Sequence, residues 1–387
     1  MKTSITRLSF FYFWYFAFIG AFAPFFSLYL HRCGYQPFEI AFLLGISPLL
    51  RVVIPFFWAW AADRFSSRDT LIKYLSLISP VCLAAIFFKP GFVLTSLILI
   101  IWGIIWSGIL PLVEALTLDE TKSRMNAYGR IRAWGSIGFI LIVLGGGYLF
   151  ESIDILNLDF FLVAILLLVA LAVLYLPRGE NSSSDQIGTN PSLFPLLRNV
   201  SVIGLLVVFF IMQFSHGAYN AFFSLFLVEV GYSERVVGWL WAVAVVAEIG
   251  MFFVVPVFMR KISLGILLAI CFSVATLRFL LVGFYPYTLW VLVITQIMHA
   301  VTFGMFHVVG LAAINKFFVA GFRARGQALY SSIGYGAGGA VGTLTSGYVW
   351  EQWGSAYVFY ISALSACVGM IITLLMTRSN FLRFRAA

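Results

Sequence analysis

The chain has 387 residues, of which 62% are apolar and only 10% are charged. Soluble domains carry about 25% charged residues, so this composition excludes a soluble globular protein and indicates an integral membrane protein. The net charge of +9 is explained by basic loops and contact with anionic lipid, and nucleic acid is not expected as a partner.

Apolar segments long enough to cross a bilayer as α-helices, which takes about 17 to 25 residues each, recur along the whole chain. They lack the alternation of apolar and polar residues that membrane β-strands show over about ten positions. We therefore predict an all-α integral membrane protein with twelve transmembrane helices. In chain order, the twelve segments lie near residues 8–30, 38–60, 71–88, 92–118, 131–150, 157–176, 199–228, 234–258, 263–283, 288–315, 327–349 and 355–376.

Basic residues distinguish the two sides of the membrane. With a cytoplasmic N-terminus, only Arg32, Lys89 and Arg235 of the 24 Lys and Arg residues fall on the opposite side, and Arg51 and Arg278 lie within segments. This asymmetry obeys the positive-inside rule with an even number of helices. We expect both termini in the cytoplasm and a multi-pass protein of the bacterial inner membrane.

The first segment begins an internal repeat whose offset is about half the chain. Gly34-Tyr35 recurs as Gly231-Tyr232, and the same shift lays Arg51 over Glu248. Parallel repeats of this kind are typical of alternating-access transporters, which hold the ligand between the two halves. We predict two pseudo-symmetric six-helix bundles, residues 1–176 and 199–387, joined by a polar cytoplasmic linker at residues 177–198.

A degenerate loop motif follows the second segment. Asp63, Arg64 and Arg68 match the glycine-x3-Asp-Arg signature of the major facilitator superfamily, which this loop resembles. The leading glycine of the signature is Ala59 in this chain. The resemblance implies a loop that takes part in the conformational change of transport.

Four formal charges lie well within the segments, two acidic and two basic. Each costs about 2.5–3.5 kcal/mol to place at the centre of a membrane helix, so such groups mark a substrate or proton path by default. Structural ion pairs between helices are the alternative interpretation. The four residues are Arg51, Glu114, Glu248 and Arg278.

Glu248 is the first candidate for the proton-carrying carboxyl group, because it lies near the middle of the eighth segment among apolar residues. Glu114 is the second candidate, although it lies nearer a segment end and could instead pair with Arg130 or Arg132. Arg51 is the candidate clamp for a carboxylate, since its guanidinium presents a planar fork of donors. Arg278 could serve instead, or could hold Glu248 charged until a proton arrives.

Three of the four histidines lie inside segments. His216 is in the seventh, and His299 and His307, with Phe303 between them, follow one face of a predicted helix in the tenth. A histidine inside a segment can hydrogen-bond a substrate or transfer a proton. The alternative interpretation is a packing residue that does neither. No ligand-type residue accompanies these histidines at helical spacing, so we expect no metal and no cofactor.

Aromatic residues make up 18% of the chain, and most are expected to face lipid. A few flank the internal repeat and are candidates to line a substrate site. An aromatic slot beside a clamp would suit a planar ring that carries a carboxylate, and would equally suit a sugar. These candidates are Tyr12, Phe22, Trp102, Trp106, Tyr219, Asn220 and Phe303, of which Asn220 is the polar member.

Glycines recur every four residues in the eleventh segment, at Gly334, Gly338 and Gly342, and Gly138 and Gly147 mark the corresponding fifth segment. Small residues at this spacing let helix backbones approach closely. We expect these seams where the two halves meet.

A narrower resemblance covers nearly the whole chain. The chain resembles the phenylpropionate permease branch of the major facilitator superfamily. That branch is similar to the lactose-permease-like proton symporters. The resemblance implies proton-coupled uptake of a small organic solute such as an aromatic carboxylate, although the usual acid of the fourth helix is aspartate and here it is Glu114. The residues that carry it are Pro111-Leu112-Val113-Glu114-Ala115-Leu116, Tyr128-Gly129-Arg130-Ile131-Arg132-Ala133-Trp134-Gly135-Ser136-Ile137-Gly138-Phe139, Val245-Val246-Ala247-Glu248 and the region from His299 to His307.

Other functions stay open beside this interpretation. A sugar or nucleoside proton symporter and a drug/proton antiporter are the alternatives within transport, and a non-transporting sensor or a lipid scramblase lies outside it. No phosphate-binding glycine loop ends in Lys-Ser or Lys-Thr, so drive by ATP is excluded, and no enzymatic motif is present. The expected partners are a small-molecule substrate, protons and the lipid bilayer, and we expect a monomer.

Overall fold

A computed structural model describes residues 2–64, 68–121, 124–177, 198–318 and 322–379. Every regular element in these ranges is helical, which confirms the predicted all-α class. The predicted linker, residues 177–198, lies outside the described residues except at its two ends. In chain order the helices are α1 (Lys2–Arg32), α2 (Pro37–Leu50 and Ile54–Arg64), α3 (Arg68–Ala84), α4 (Phe92–Glu120), α5 (Met125–Ser152), α6 (Leu158–Leu174), α7 (Val200–Ser215 and Gly217–Glu229), α8 (Glu234–Lys261), α9 (Leu264–Phe284), α10 (Leu289–His299 and Phe306–Phe317), α11 (Arg323–Tyr330 and Gly339–Trp353) and α12 (Ser355–Arg378).

Within the described ranges, ten helical stretches are long and apolar enough to span a membrane. The predicted second segment differs, because α2 is interrupted by a turn at residues 51–53. Pro55 is the second residue of the part that follows. A proline in the first turn of a helix leaves no hydrogen bond unmade, because the first N–H groups have no partner within the helix. The proline therefore favours a new helix start at this point.

The tenth and eleventh predicted segments also depart from a regular α-helix. A π-helical turn at Ala300–Met305 joins the two parts of α10, and a longer one at Ser331–Gly338 joins the two parts of α11. In a π turn each N–H bonds to the carbonyl five residues earlier, and such turns are frequent at functional sites. Apolar periodicity alone does not predict them.

The helices form two compact units. Unit 1 comprises Met1–Gln186 with Tyr232–Ala242, and unit 2 comprises Ile187–Gly231 with Val243–Ala387. The internal repeat is visible in the backbone of each unit, since Gly34 after α1 has φ of 93° and Gly231 after α7 has φ of 99°. Glycine adopts this left-handed conformation without steric cost and commonly ends helices.

The glycine seams lie inside the units. In unit 2, a Cβ at Gly342 would overlap the carbonyl oxygen of Phe214, so α11 packs directly on α7. In unit 1, a Cβ at Gly138 would overlap the carbonyl oxygen of Phe13, so α5 packs directly on α1. The expectation that these seams lie where the two halves of the chain meet is wrong for Gly138 and Gly342, whereas Gly147 lies against Gly238 of α8. Gly138 and Gly342 hold pairs of helices together within one bundle.

Candidate functional site

The central feature of unit 2 is an acid paired with a histidine. Glu248 lies in the middle of α8, and His299 lies at the end of the first part of α10, immediately before the π turn. Glu248 Oε1 is 2.8 Å from His299 Nε2, and the side chains are 15% and 7% exposed. Buried ionisable groups need a hydrogen-bonded partner, and each of these two supplies it for the other.

Arg278 of α9 lies behind this pair and is fully buried. Its Nε donates to the carbonyl oxygen of Thr295 at 2.9 Å, and its Nη1 donates to Thr302 Oγ1 at 3.4 Å. The guanidinium carbon lies 4.1 Å from the ring centroid of Tyr219, a cation–π contact. Arg278 therefore acts on Glu248 through its charge, while the direct partner of the carboxyl group is His299.

His216, at the interruption of α7, is fixed in one tautomer. Its Nδ1 lies 2.9 Å from the carbonyl oxygen of Met212, which can only accept a hydrogen bond. Its Nε2 lies 3.2 Å from Thr302 Oγ1, a hydroxyl that can donate or accept, and 3.5 Å from Arg278 Nη1, which can only donate. Nδ1 therefore carries a ring proton, and the guanidinium beside Nε2 opposes a second positive charge on the ring.

His307 of α10 has a different environment, because its Nδ1 lies 3.1 Å from the hydroxyl oxygens of both Tyr330 and Tyr335. Phe303 stacks on His299 with ring centroids 5.2 Å apart and an interplanar angle of 15°. The sequence predicts that residues 299, 303 and 307 follow one helical face. Instead, His299 contacts α8 and His307 contacts α11. The π turn between them changes the helical spacing on which that prediction depends.

Tyr219 completes the polar group on α7. Its hydroxyl donates to Gln296 Oε1 at 2.8 Å, and Gln296 Nε2 donates to Thr295 Oγ1 at 3.1 Å. Tyr219 and Gln296 are buried, whereas the neighbouring Asn220 is exposed. This group of unit 2 thus combines Glu248, three histidines and Arg278 with neutral hydrogen-bonding side chains, and Arg278 Nη2 and His299 Nδ1 are left without a hydrogen-bond partner among the described residues. The arrangement can take up, hold and release a proton.

In unit 1, Glu114 pairs with Arg132, one of the two arginines considered for it. Arg132 Nη1 donates to Glu114 Oε1 at 2.8 Å, and each side chain is 34% exposed. The guanidinium also lies over the rings of Tyr12 and Phe16, with its carbon 5.3 Å and 4.9 Å from their centroids. Glu114 therefore has a permanent cationic partner on α5, which suits a structural role.

Arg51 lies at the interruption of α2, in unit 1, with its side chain exposed. It is close enough to Tyr15 to interact with that hydroxyl electrostatically. No ion pair of Arg51 is present among the described residues. From their equivalent positions in the repeat we expect Arg51 and Glu248 to face one central cavity. They belong to different units, and this expectation stays a prediction.

The predicted aromatic slot of unit 1 is occupied by its own side chains. Trp106 stacks on Tyr15 at 4.3 Å with parallel rings, and Trp102 lies 5.7 Å from Trp106. Phe18 and Phe22 pack against the same tryptophans. Trp102 and Trp106 are only 3% and 9% exposed, so a ligand would reach little more than the edge of Trp106.

The loop signature after α2 is partly described. Arg68 Nη1 donates to Asp119 Oδ2 at 2.7 Å, which joins the start of α3 to the end of α4. Arg64 is exposed at the end of α2. The side chain of Asp63 and residues 65–67 lie outside the described residues.

Sequence reasoning missed the neutral polar partners of the ionisable groups. Thr295, Gln296 and Thr302 of α10 bind Tyr219 or Arg278, and Tyr330 and Tyr335 of α11 bind His307. An inventory of every hydrogen-bonding residue in the tenth segment would have found the first three. The two tyrosines carry no such signal, because tyrosine is common at membrane interfaces.

Comparison with known proteins supports a transporter. The model of the MFS_1 like family matches residues 5–361. The chain is 28% identical to the probable 3-phenylpropionic acid transporter of Escherichia coli (strain K12), with 93% of this chain and 95% of that protein covered. It is 25% identical to the maltose permease of Geobacillus stearothermophilus, with 95% and 93% covered.

A solved structure shares the fold. The crystal structure of the nucleoside transporter NupG superposes with a TM-score of 0.82 and 20% identity, with 98% of this chain and all of that chain covered. The resemblance predicted from the sequence is confirmed, as are the predicted fold and the non-enzymatic, transporting class.

Proposed function

The chain belongs to the MFS_1 like family of the major facilitator superfamily, and from that membership we propose that it couples proton entry to the uptake of an aromatic carboxylate. The Glu248–His299 pair of unit 2 carries this proposal. It is an acid at the centre of a bilayer-length helix, held 2.8 Å from a base and within the field of a buried arginine. Such groups inside a membrane mark proton paths.

The chemistry of the pair suits a proton carrier. A protonated Glu248 can donate its O–H to His299 Nε2, and an ionised Glu248 can accept the N–H of that same nitrogen. The hydrogen bond therefore survives in both states, so the carboxyl group can gain and lose a proton without losing its partner. Co-transport of one proton with one carboxylate anion moves no net charge across the membrane.

Arg51 is the proposed clamp for the substrate carboxylate. An exposed guanidinium in the middle of an apolar segment is too costly to leave in lipid, so it requires an aqueous path. Arg278 is fully buried, and its Nε and Nη1 already bond to groups of α10, which favours Arg51 for contact with substrate. The proposed setting is the bacterial inner membrane, with a monomer whose termini both face the cytoplasm.

Substrate binding gives the first test of this proposal. We expect 3-phenylpropionate or benzoate to raise the thermal unfolding temperature of the purified protein, more at pH 6 than at pH 8, and the matching amides to have no effect. At about one hundred times the dissociation constant, a ligand stabilises by about 2.7 kcal/mol. Arg51→Lys should weaken binding by about tenfold, because the bidentate fork is lost while the charge remains.

Arg64→Lys is the matched control for that substitution, because Arg64 is an exposed arginine at the cytoplasmic end of the same helix. The Arg64→Lys variant should bind the acids with the same affinity as the unchanged protein. Equal binding of acids and amides would reject the carboxylate and favour a neutral sugar or nucleoside. That alternative is supported by the maltose permease relative and by the hydrogen-bonding groups of Tyr219 and Gln296.

A second test concerns the acid of unit 1. Glu114→Gln is expected to retain concentrative uptake, because the partly buried pair with Arg132 suits a structural role and is not expected to carry a proton. The measurement is substrate accumulation in proteoliposomes under an inward proton gradient. Loss of accumulation with normal counterflow would instead make Glu114 part of the proton path.

A further inference from the structure

The imidazole of His307 contacts two hydroxyl groups at once. Its Nδ1 lies 3.1 Å from Tyr330 Oη and 3.1 Å from Tyr335 Oη, and Tyr330 donates to Tyr335 across 3.4 Å. Tyr330 is buried, and His307 and Tyr335 are partly buried. The three side chains form one hydrogen-bonded network between α10 and α11.

This network depends on the π turn at Ser331–Gly338. Two residues five positions apart in an α-helix point about 140° away from each other. In a π turn the hydrogen bonding runs over five residues, so the same two positions lie nearly one above the other. The turn therefore places Tyr330 and Tyr335 on one face, where both hydroxyls reach His307.

Hydroxyl partners have a consequence that carbonyl partners do not. A tyrosine hydroxyl can donate to an unprotonated ring nitrogen and can accept from a protonated one. Nδ1 of His307 is therefore satisfied in either form. Nδ1 of His216 faces a carbonyl oxygen, and its Nε2 lies beside the hydroxyl of Thr302 and a guanidinium, whose positive charge opposes a second proton on that ring.

Charged and titratable groups lie on several helices around the network. They include the carboxyl side chain on α8, whose Cγ lies 3.6 Å from the Cβ position of Gly304, three residues before His307, and the cysteine on α9, which acts on Tyr330. The buried guanidinium on α9 acts on the same carboxyl group through its charge. The groups are Glu248 of α8, Cys271 and Arg278 of α9, His299 of α10, and Tyr330 and Tyr335 of α11.

We propose that Tyr330 and Tyr335 are positioning residues that allow His307 to exchange a proton with Glu248 during transport. In this step the carboxyl group becomes a carboxylate and the imidazole becomes an imidazolium, so the pair is neutral in total before and after. The hydroxyl hydrogens reorient to match the form of Nδ1. The inference rests on the proposed proton coupling. It assigns His307 as the second proton-carrying group beside Glu248, while His216 stays neutral.

The test follows the histidine rings directly. Protein labelled with ¹⁵N-histidine is titrated, and the His307 signals are identified by their loss in His307→Gln. We expect His307 to change protonation state in the unchanged protein and His216 to keep its Nδ1–H form throughout. In the double variant Tyr330→Phe with Tyr335→Phe, the titration of His307 should be lost, and concentrative uptake should fall by about tenfold while counterflow is kept.

Tyr360→Phe is the matched control, because it removes a hydroxyl that donates at 3.1 Å to the carbonyl oxygen of Gly283 in the same unit. It should change neither the titration nor the uptake. If the double variant fails to fold, Tyr335→Phe alone carries the test. An unchanged titration of His307 in a folded variant, or a His307 that never titrates in the unchanged protein, overturns the inference.

These outcomes are separable from failure of the proposed function. If uptake proves independent of the proton gradient, the proposed coupling fails whatever the histidine spectra show. If uptake is proton-driven and His307 keeps one form, the coupling stands and the role of the tyrosines is rejected.

Discussion

Replacing Glu248 with glutamine is expected to abolish uphill substrate accumulation. Glutamine has nearly the same shape and its amide can still hydrogen-bond His299, 2.8 Å from the present carboxylate oxygen, but it cannot release a proton at any physiological pH. Loss of a positioned proton carrier costs on the order of a hundredfold or more in rate. The measurement is accumulation of labelled 3-phenylpropionate in proteoliposomes with an inward proton gradient.

Counterflow separates a defect in coupling from a defect in binding. Exchange of external label for pre-loaded substrate needs no net proton movement, so Glu248→Gln should retain it. Glu248→Asp, which keeps an ionisable group on a shorter side chain, should recover part of the accumulation. Gradient-driven accumulation by Glu248→Gln at the normal rate would show that the proton travels by another group.

Among the substitutions proposed for this protein, Gly217→Ala is expected to lower the free energy of unfolding the most. Gly217 follows His216 in α7, and a Cβ there would overlap the backbone of Gly342 and lie 2.5 Å from the backbone nitrogen of Thr343. Backbone atoms cannot rotate away, so α7 and α11 must separate. Overpacking costs about 1–3 kcal/mol even where side chains can adjust, so a backbone collision should exceed the upper value.

The measurements are the thermal unfolding temperature in detergent and the fraction of protein that elutes as one species on size-exclusion chromatography. Gly250→Ala is the control, because Gly250 is also helical but has nothing within 4 Å of its Cβ position. It should be neutral or gain up to about 1 kcal/mol from helix propensity. Equal stability of the two variants would mean that the close approach of α7 and α11 is not maintained in detergent.

Much of the architecture could be predicted from the sequence, because its causes are local or repeated. Ten of the twelve segments predicted from apolar length contain helical stretches that are long and apolar enough to span a membrane. The repeated Gly-Tyr pair marked Gly34 and Gly231, both of which prove to need a left-handed backbone. The interruption of α2 was also readable in principle, since Pro55 opens its second part.

The candidate site was only half predictable, for a physical reason. The free-energy cost of placing a charged side chain in the membrane identified Glu248 and Arg278 separately, because this cost depends on each residue alone. Which group touches which depends on side-chain geometry between helices, and there His299 rather than Arg278 contacts Glu248. The tyrosine partners of His307 depend on a π turn, and a change in hydrogen-bond register leaves no trace in apolar periodicity.

The burial of Arg278 constrains the order in which the protein can be assembled during synthesis. Its partners on α7, His216 and Tyr219, are made before it, but Thr295 and Thr302 of α10 are made after it. When α9 first leaves the translocon, its guanidinium therefore lacks the groups that later satisfy it.

The unpaired arginine costs about 2.5–3.5 kcal/mol at the helix centre. The remaining apolar side chains of α9 must outweigh that cost until α10 enters the bilayer beside them. Stable integration of α9 is thus completed only when α10, which is synthesised later, enters the bilayer beside it.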